Sequence, residues 1–220
     1  MKKIIRNILI FLSYFLYDAV FIIIADSFGF DYFKLSNEKK ILFSTITSFL
    51  FIIFLIFAYK DEIKKDINDF KENGKKYISK YFIYYVIGAI LMGVTNLIIQ
   101  SITKINLSGN EEQIRDLIKD YPLYMTIISV ITAPFIEEII FRKSLKNIFK
   151  LKYLFIVISG FIFGLLHISD FSNTGQILLG IPYIIMGIDF AYIYYKTDNV
   201  FTTMTFHIAH NLILLIIQLI

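Results

Sequence analysis

Cysteine is absent from this 220-residue chain, which removes disulfides, thiolate metal sites and a cysteine nucleophile from consideration. Internal repeats, low-complexity tracts and Pro- or Gly-rich linkers are missing too, and only 3 prolines and 10 glycines occur. Charge is scarce, at 18% of residues, and it falls in short runs between long apolar stretches. That distribution excludes a nucleic-acid partner despite a formal charge of +4. The excess lysines flank apolar runs instead of forming a stripe with exposed aromatics.

What is present is apolar. Hydrophobic residues make up 57% of the chain, aromatics 17%, and the mean hydropathy is +0.67, outside the range of soluble domains. Seven apolar runs are predicted to span a bilayer: Asn7–Ala25, Ile41–Tyr59, Tyr81–Ile102, Leu123–Phe141, Tyr153–Ile168, Gln176–Tyr195 and Val200–Ile220. Each approaches the ~20 residues that cross ~30 Å of hydrocarbon, the fifth being the shortest. A backbone in lipid must satisfy its own hydrogen bonds, so the expected fold is all-α, a polytopic bundle of about seven transmembrane helices. The first run follows Lys2 and Lys3 and has no small-residue cleavage site, which predicts an uncleaved anchor. The fourth helix is expected to extend toward Phe149, and Lys104–Tyr121 to form a short surface helix. Lys60–Lys80 reads as a charged loop.

With the N-terminus inside, sixteen of the 22 lysines and arginines fall in inner segments and six in outer ones. The positive-inside rule therefore places the N-terminus in the cytoplasm of a multi-pass cell-membrane protein. The partners this implies are the lipid bilayer and a peptide or membrane-protein substrate.

Ionisable side chains inside a span cost about 2.5–3.5 kcal/mol at the helix centre, so the few present point to function. They are Asp18, Glu137, Glu138, His167, Asp189, His207 and His210, with Arg142 near a helix end and Asn96 and Asn211 adding polar amides. Pro134 precedes Glu137 and Glu138 and frees a backbone carbonyl. Glu138 and Arg142 stand four apart, the orientation that favours an ion pair on one helix face. Glu137 is turned about 100° away, leaving one structural and one available carboxylate. Phe163 and His167 share a face, as do His207 and Asn211.

Three motifs in order, Glu137-Glu138-(three residues)-Arg142, Phe163-(three)-His167 and His207-(three)-Asn211, resemble the CAAX protease and bacteriocin-processing (CPBP, Abi) family of intramembrane peptidases. The resemblance covers Leu123 to Leu214. It divides the chain into residues 1–122, transmembrane helices and loops without a recognised motif, and a peptidase core at 123–220. It implies proteolysis with four catalytic residues. Glu137 is the general base and His167 holds the attacking water, while His207 and Asn211 donate to the oxyanion. Glu138 and Arg142 support them, and His210 is an addition to the pattern. His167 lies about fifteen residues into its helix, ~20 Å from the inner boundary. Glu137 and His207 would be shallower, so tilt must reconcile the depths.

No cofactor is expected in this reading. The alternative is zinc held by Glu137, His167 and His207, a known catalytic ligand set, although no H-E-x-x-H helix occurs. An aspartyl site built from Asp18 and Asp189 lacks the full G-x-G-D pattern, and no rhomboid-type G-x-S-x string lies in a span. A transporter would show repeat symmetry or paired broken helices. A non-catalytic bacteriocin self-immunity or scaffold protein is the alternative function. Richness in Ile and Lys suits an AT-rich bacterial genome, which makes a peptide precursor a more natural substrate than a prenylated protein.

Overall fold

The computed structural model describes residues 2–219 and is built of helices. These are α1 (Lys2–Ser27), α2 (Asn37–Ala58), α3 (Lys60–Thr103), α4 (Gly109–Asp120), α5 (Pro122–Ile148), α6 (Lys152–Leu165), α7 (Thr174–Thr197) and α8 (Val200–Leu219). A short turn near Gly180 interrupts α7. By length and composition α1, α2, α3, α5, α7 and α8 are each apolar enough to cross a membrane. The chain is a multi-pass membrane protein. Large apolar side chains such as Leu9, Phe57 and Leu97 face outward, as a lipid-facing surface requires.

The fifth predicted span is shorter than expected. Helix α6 has 14 residues, about 21 Å of rod. His167 therefore lies in the turn beyond the helix and not within it. The predicted loop Lys60–Lys80 is also different, being the first half of the 44-residue helix α3. Its half-buried and buried positions Ile63, Asp66, Phe70, Gly74, Tyr77 and Tyr81 recur every three or four residues, a helical stripe that packs on the rest of the protein. Surface helix α4 forms as predicted. Ser108 caps its start by accepting from the Glu111 N–H at 3.2 Å, and Arg115 pairs with Glu111 at 2.7 Å.

The segments assigned to the inner side gather at one end of the bundle. Arg6 of α1 meets Glu62 of α3 at 2.6 Å, Lys143 of α5 meets Asp66 at 2.6 Å, and Lys146 meets Asp198 at 2.8 Å. Asn199, between α7 and α8, donates to the Asp66 carbonyl and the Asp69 carboxylate. At the opposite end Gln176 of α7 accepts from the Gly109 N–H of α4 at 2.9 Å.

Close packing of α6 on α7 fixes the core. A Cβ added at Gly160 would stand 2.7 Å from the Ile188 nitrogen, and one at Gly164 2.8 Å from that of Ile184. Small residues four apart let the two backbones touch, the usual way for helices to associate in lipid.

Candidate active site

Helix α5 leaves α-helical geometry twice, through π-turns at Ile127–Thr132 and Glu138–Ser144. Such bulges are rare and concentrate at functional sites. The first is coupled to Pro134. In π register residue 134 would donate to the Ser129 carbonyl, but proline has no N–H. The orphaned Ser129 oxygen is satisfied from α8 instead, by the Asn211 Nδ2 amide at 2.7 Å.

The second π-turn carries the acids. Glu138 is fully buried and accepts from Arg142 Nε at 3.2 Å, the ion pair expected from the spacing. Arg142 Nη1 donates to Ser159 Oγ at 2.6 Å, and Ser159 in turn donates to the Phe141 carbonyl at 2.7 Å. The guanidinium also lies over the rings of Phe163 and Phe190, at 5.1 and 5.9 Å. A buried charge is tolerable only with such company.

Glu138 has a second partner. His207 Nδ1 stands 3.0 Å from Glu138 Oε1. The Arg142-paired carboxylate only accepts, so Nδ1 carries the hydrogen. That bond turns Nε2 of the same ring toward Glu137, 3.7 Å from its Oε2. Glu137 keeps 17% of its side chain accessible while Glu138 keeps none. The adjacent acids thus divide into a locked anchor and a reachable carboxylate.

His167 is held differently. Its Nδ1 lies 2.8 Å from the Phe163 carbonyl, which only accepts, so in the neutral ring Nε2 is the unprotonated nitrogen, with no hydrogen-bond partner among the described residues. The ring stacks on Tyr183 with centroids 4.1 Å apart. Phe163 contacts both imidazoles, at 4.8 Å from His167 and 5.8 Å from His207. One residue therefore anchors one histidine by its backbone and touches both by its ring.

A cavity of about 260 Å³ adjoins these groups, with His167, His210, Asn211, Asn96 and Tyr183 in its wall and Glu111 of α4 at its edge. The structure brings Glu137 and His207 together, and it places His167 and Asn211 in this cavity. The two pairs are joined by the Phe163 ring and by α8, on which His207 and Asn211 lie one turn apart. Among the described residues no hydrogen bond links Glu137 to His167. Among the described residues no group of three or more His, Asp or Glu side chains is placed to hold a metal ion.

Other polar groups make contacts of their own. Asp18 accepts from Thr47 of α2 at 3.4 Å, whereas Asp189 lies against Gly88 of α3, so the two aspartates face different helices. His210 meets the edge of Tyr85 at 6.1 Å, and its Nε2 is buried without a partner. Sequence reasoning missed Ser159, Phe190 and Tyr183. Ser159 lies one helical turn before Phe163, a signal visible only once the motif's face is known.

Residues 119–213 match the family described as Type II CAAX prenyl endopeptidase Rce1-like. That match agrees with the CAAX protease resemblance carried by the three motifs. A Bacillus subtilis (strain 168) protein named provisionally as the membrane peptidase YdiL is 36% identical over 115 residues, 51% of this chain and 44% of that protein. An uncharacterized protein of Mycoplasma capricolum is 30% identical over 190 residues, 81% of this chain and 55% of its own length. The chain spans about half the length of these curated relatives. No solved structure matches it.

Proposed function

We propose that this chain is an intramembrane endopeptidase in which Glu137 activates water to cleave a membrane-associated peptide or precursor, with no metal required. The observation that carries this reading is the division between the adjacent glutamates. Glu138 is locked between Arg142 and His207, and it thereby aims His207 Nε2 at the reachable Glu137.

Peptide hydrolysis needs an activated water and donors for the developing oxyanion. Glu137 takes a proton from water, and the water oxygen attacks the peptide carbonyl carbon. His167, with Nε2 free, accepts a hydrogen bond from that water and orients it. His207 donates to the oxyanion from Nε2 when that nitrogen carries a hydrogen, joined by the Asn211 N–H that Ser129 does not use. The proton on Glu137 then passes to the leaving amine. Each donor gains strength because the apolar rings of Phe163 and Phe190 keep bulk water from the His207 side.

The lysine-rich end, where the predicted inner segments meet, supports a cytoplasmic N-terminus in a cell membrane. Both relatives are bacterial, which supports a peptide precursor as substrate in preference to a prenylated protein. Glu137→Gln should abolish cleavage of such a precursor while expression and membrane insertion stay at wild-type level. Retained turnover rejects the assignment. In a bacteriocin-protection assay, equal protection by wild type and His167→Ala would instead favour the scaffold role.

A further inference from the structure

The charged end of the bundle holds a second cavity, of about 280 Å³, which shares no lining residue with the one at His167. It lies where the starts of α1 and α3 meet the ends of α5 and α7. Three carboxylates line it, and each is already matched to a cation: Glu62 to Arg6, Asp66 to Lys143 and Asp198 to Lys146. The same wall carries Lys3, Lys65 and Lys150. Among the described residues none of these three forms an ion pair. The lining thus carries five lysines against three carboxylates, with Lys3, Lys65 and Lys150 reaching it from α1, α3 and the end of α5.

Its other wall is aromatic, formed by Phe149, Phe155 and Tyr195. Lys146 is held over the rings of Tyr194 and Tyr195, at 5.0 and 5.2 Å. A site that joins exposed ammoniums to an apolar flank at the end of a transmembrane bundle matches a phosphate attached to an acyl glycerol. Basic pockets between helices on this side of a membrane take up anionic headgroups.

We propose that Lys3, Lys65 and Lys150 form a binding site for a phosphate-bearing anion, the headgroup of an anionic phospholipid. The site is independent of the peptidase reading and stands or falls without it.

The test uses the full chain in mild detergent, titrated separately with phosphatidylglycerol, phosphatidylcholine and inorganic phosphate. Retained lipid is read by native mass spectrometry and protection by thermal unfolding. Lys3→Gln, Lys65→Gln and Lys150→Gln should each weaken phosphatidylglycerol binding about fivefold, and the triple variant roughly 100-fold, from ~1 kcal/mol per lysine. Lys64→Gln makes the same charge change on the same helix outside the cavity and should leave binding unchanged. All these lysines are exposed, so the variants should unfold like wild type without ligand. Protection by inorganic phosphate with the same variant dependence also supports the site and assigns it to a soluble anion. The proposal is overturned if the triple variant keeps its phosphatidylglycerol, if phosphatidylcholine binds equally well, or if Lys64→Gln costs as much as Lys65→Gln.

Discussion

Glu137 and Glu138 are neighbours with the same chemistry, and replacing each by glutamine should produce opposite phenotypes. At 138 the carboxylate accepts from Arg142 Nε at 3.2 Å and from His207 Nδ1 at 3.0 Å, with no exposure to solvent. Glutamine offers one oxygen for two donors, and its NH₂ must face the other. One charge-assisted bond is then lost, worth ~1.5–3 kcal/mol, and Arg142 keeps its charge without a counter-ion. Breaking a buried pair this way costs ~3–5 kcal/mol. The two terms describe the same loss, so Glu138→Gln should destabilise by ~3–5 kcal/mol in all. That lowers the melting temperature on the order of 10 °C for a chain of this size. At 137 the side chain makes no hydrogen bond to another described residue, and Glu137→Gln should cost clearly less stability than Glu138→Gln while removing turnover. Thermal unfolding in detergent, run beside cleavage of a membrane-anchored precursor, separates the two. Equal melting of both variants, or a Glu138→Gln protein as stable as wild type, would refute the anchor-and-base division.

Asn211→Ala leaves the Ser129 carbonyl without a donor and should cost ~1–3 kcal/mol by the same unfolding assay. Pro134→Ala restores an N–H at the position whose absence orphaned that carbonyl. The double variant should therefore lose less than the sum of the single losses, as a double-mutant cycle would reveal. Gly164→Val places carbon against the Ile184 backbone, so it should separate α6 from α7 and displace His167; loss of cleavage with retained membrane insertion is the expected readout. Asp66→Ala strands Lys143, a 5%-exposed ammonium, and should destabilise by ~3–5 kcal/mol in thermal unfolding.

The helices were legible in the sequence because hydropathy reports directly on burial in lipid. Where they begin and end was less so. Lys60–Lys80 reads as a loop by charge, yet the spacing of Ile63, Asp66, Phe70, Gly74, Tyr77 and Tyr81 already describes a helix face. Its polar member, Asp66, is a buried ion-pair partner that a hydrophobicity count treats as solvent-exposed. At the candidate site, the Glu138–Arg142 pair followed from four-residue spacing within one helix. The bond from His207 to Glu138 crosses 69 positions and could not be read from local pattern. The π-turns had Pro134 as their sole sequence trace, and the use of Asn211 to satisfy Ser129 became visible only in the folded chain.

The brevity of α6 bears on how a hydrolase inside lipid obtains its reactant. Set in a bilayer from Lys152, about 21 Å of rod would leave roughly 9 Å of a ~30 Å layer uncrossed. A bilayer meets such a deficit by thinning around the short element. The exposed polar turn at Ser169 and Asp170 follows directly, so such thinning would bring solvent within two residues of His167, whose ring shares the Phe163 side chain with His207.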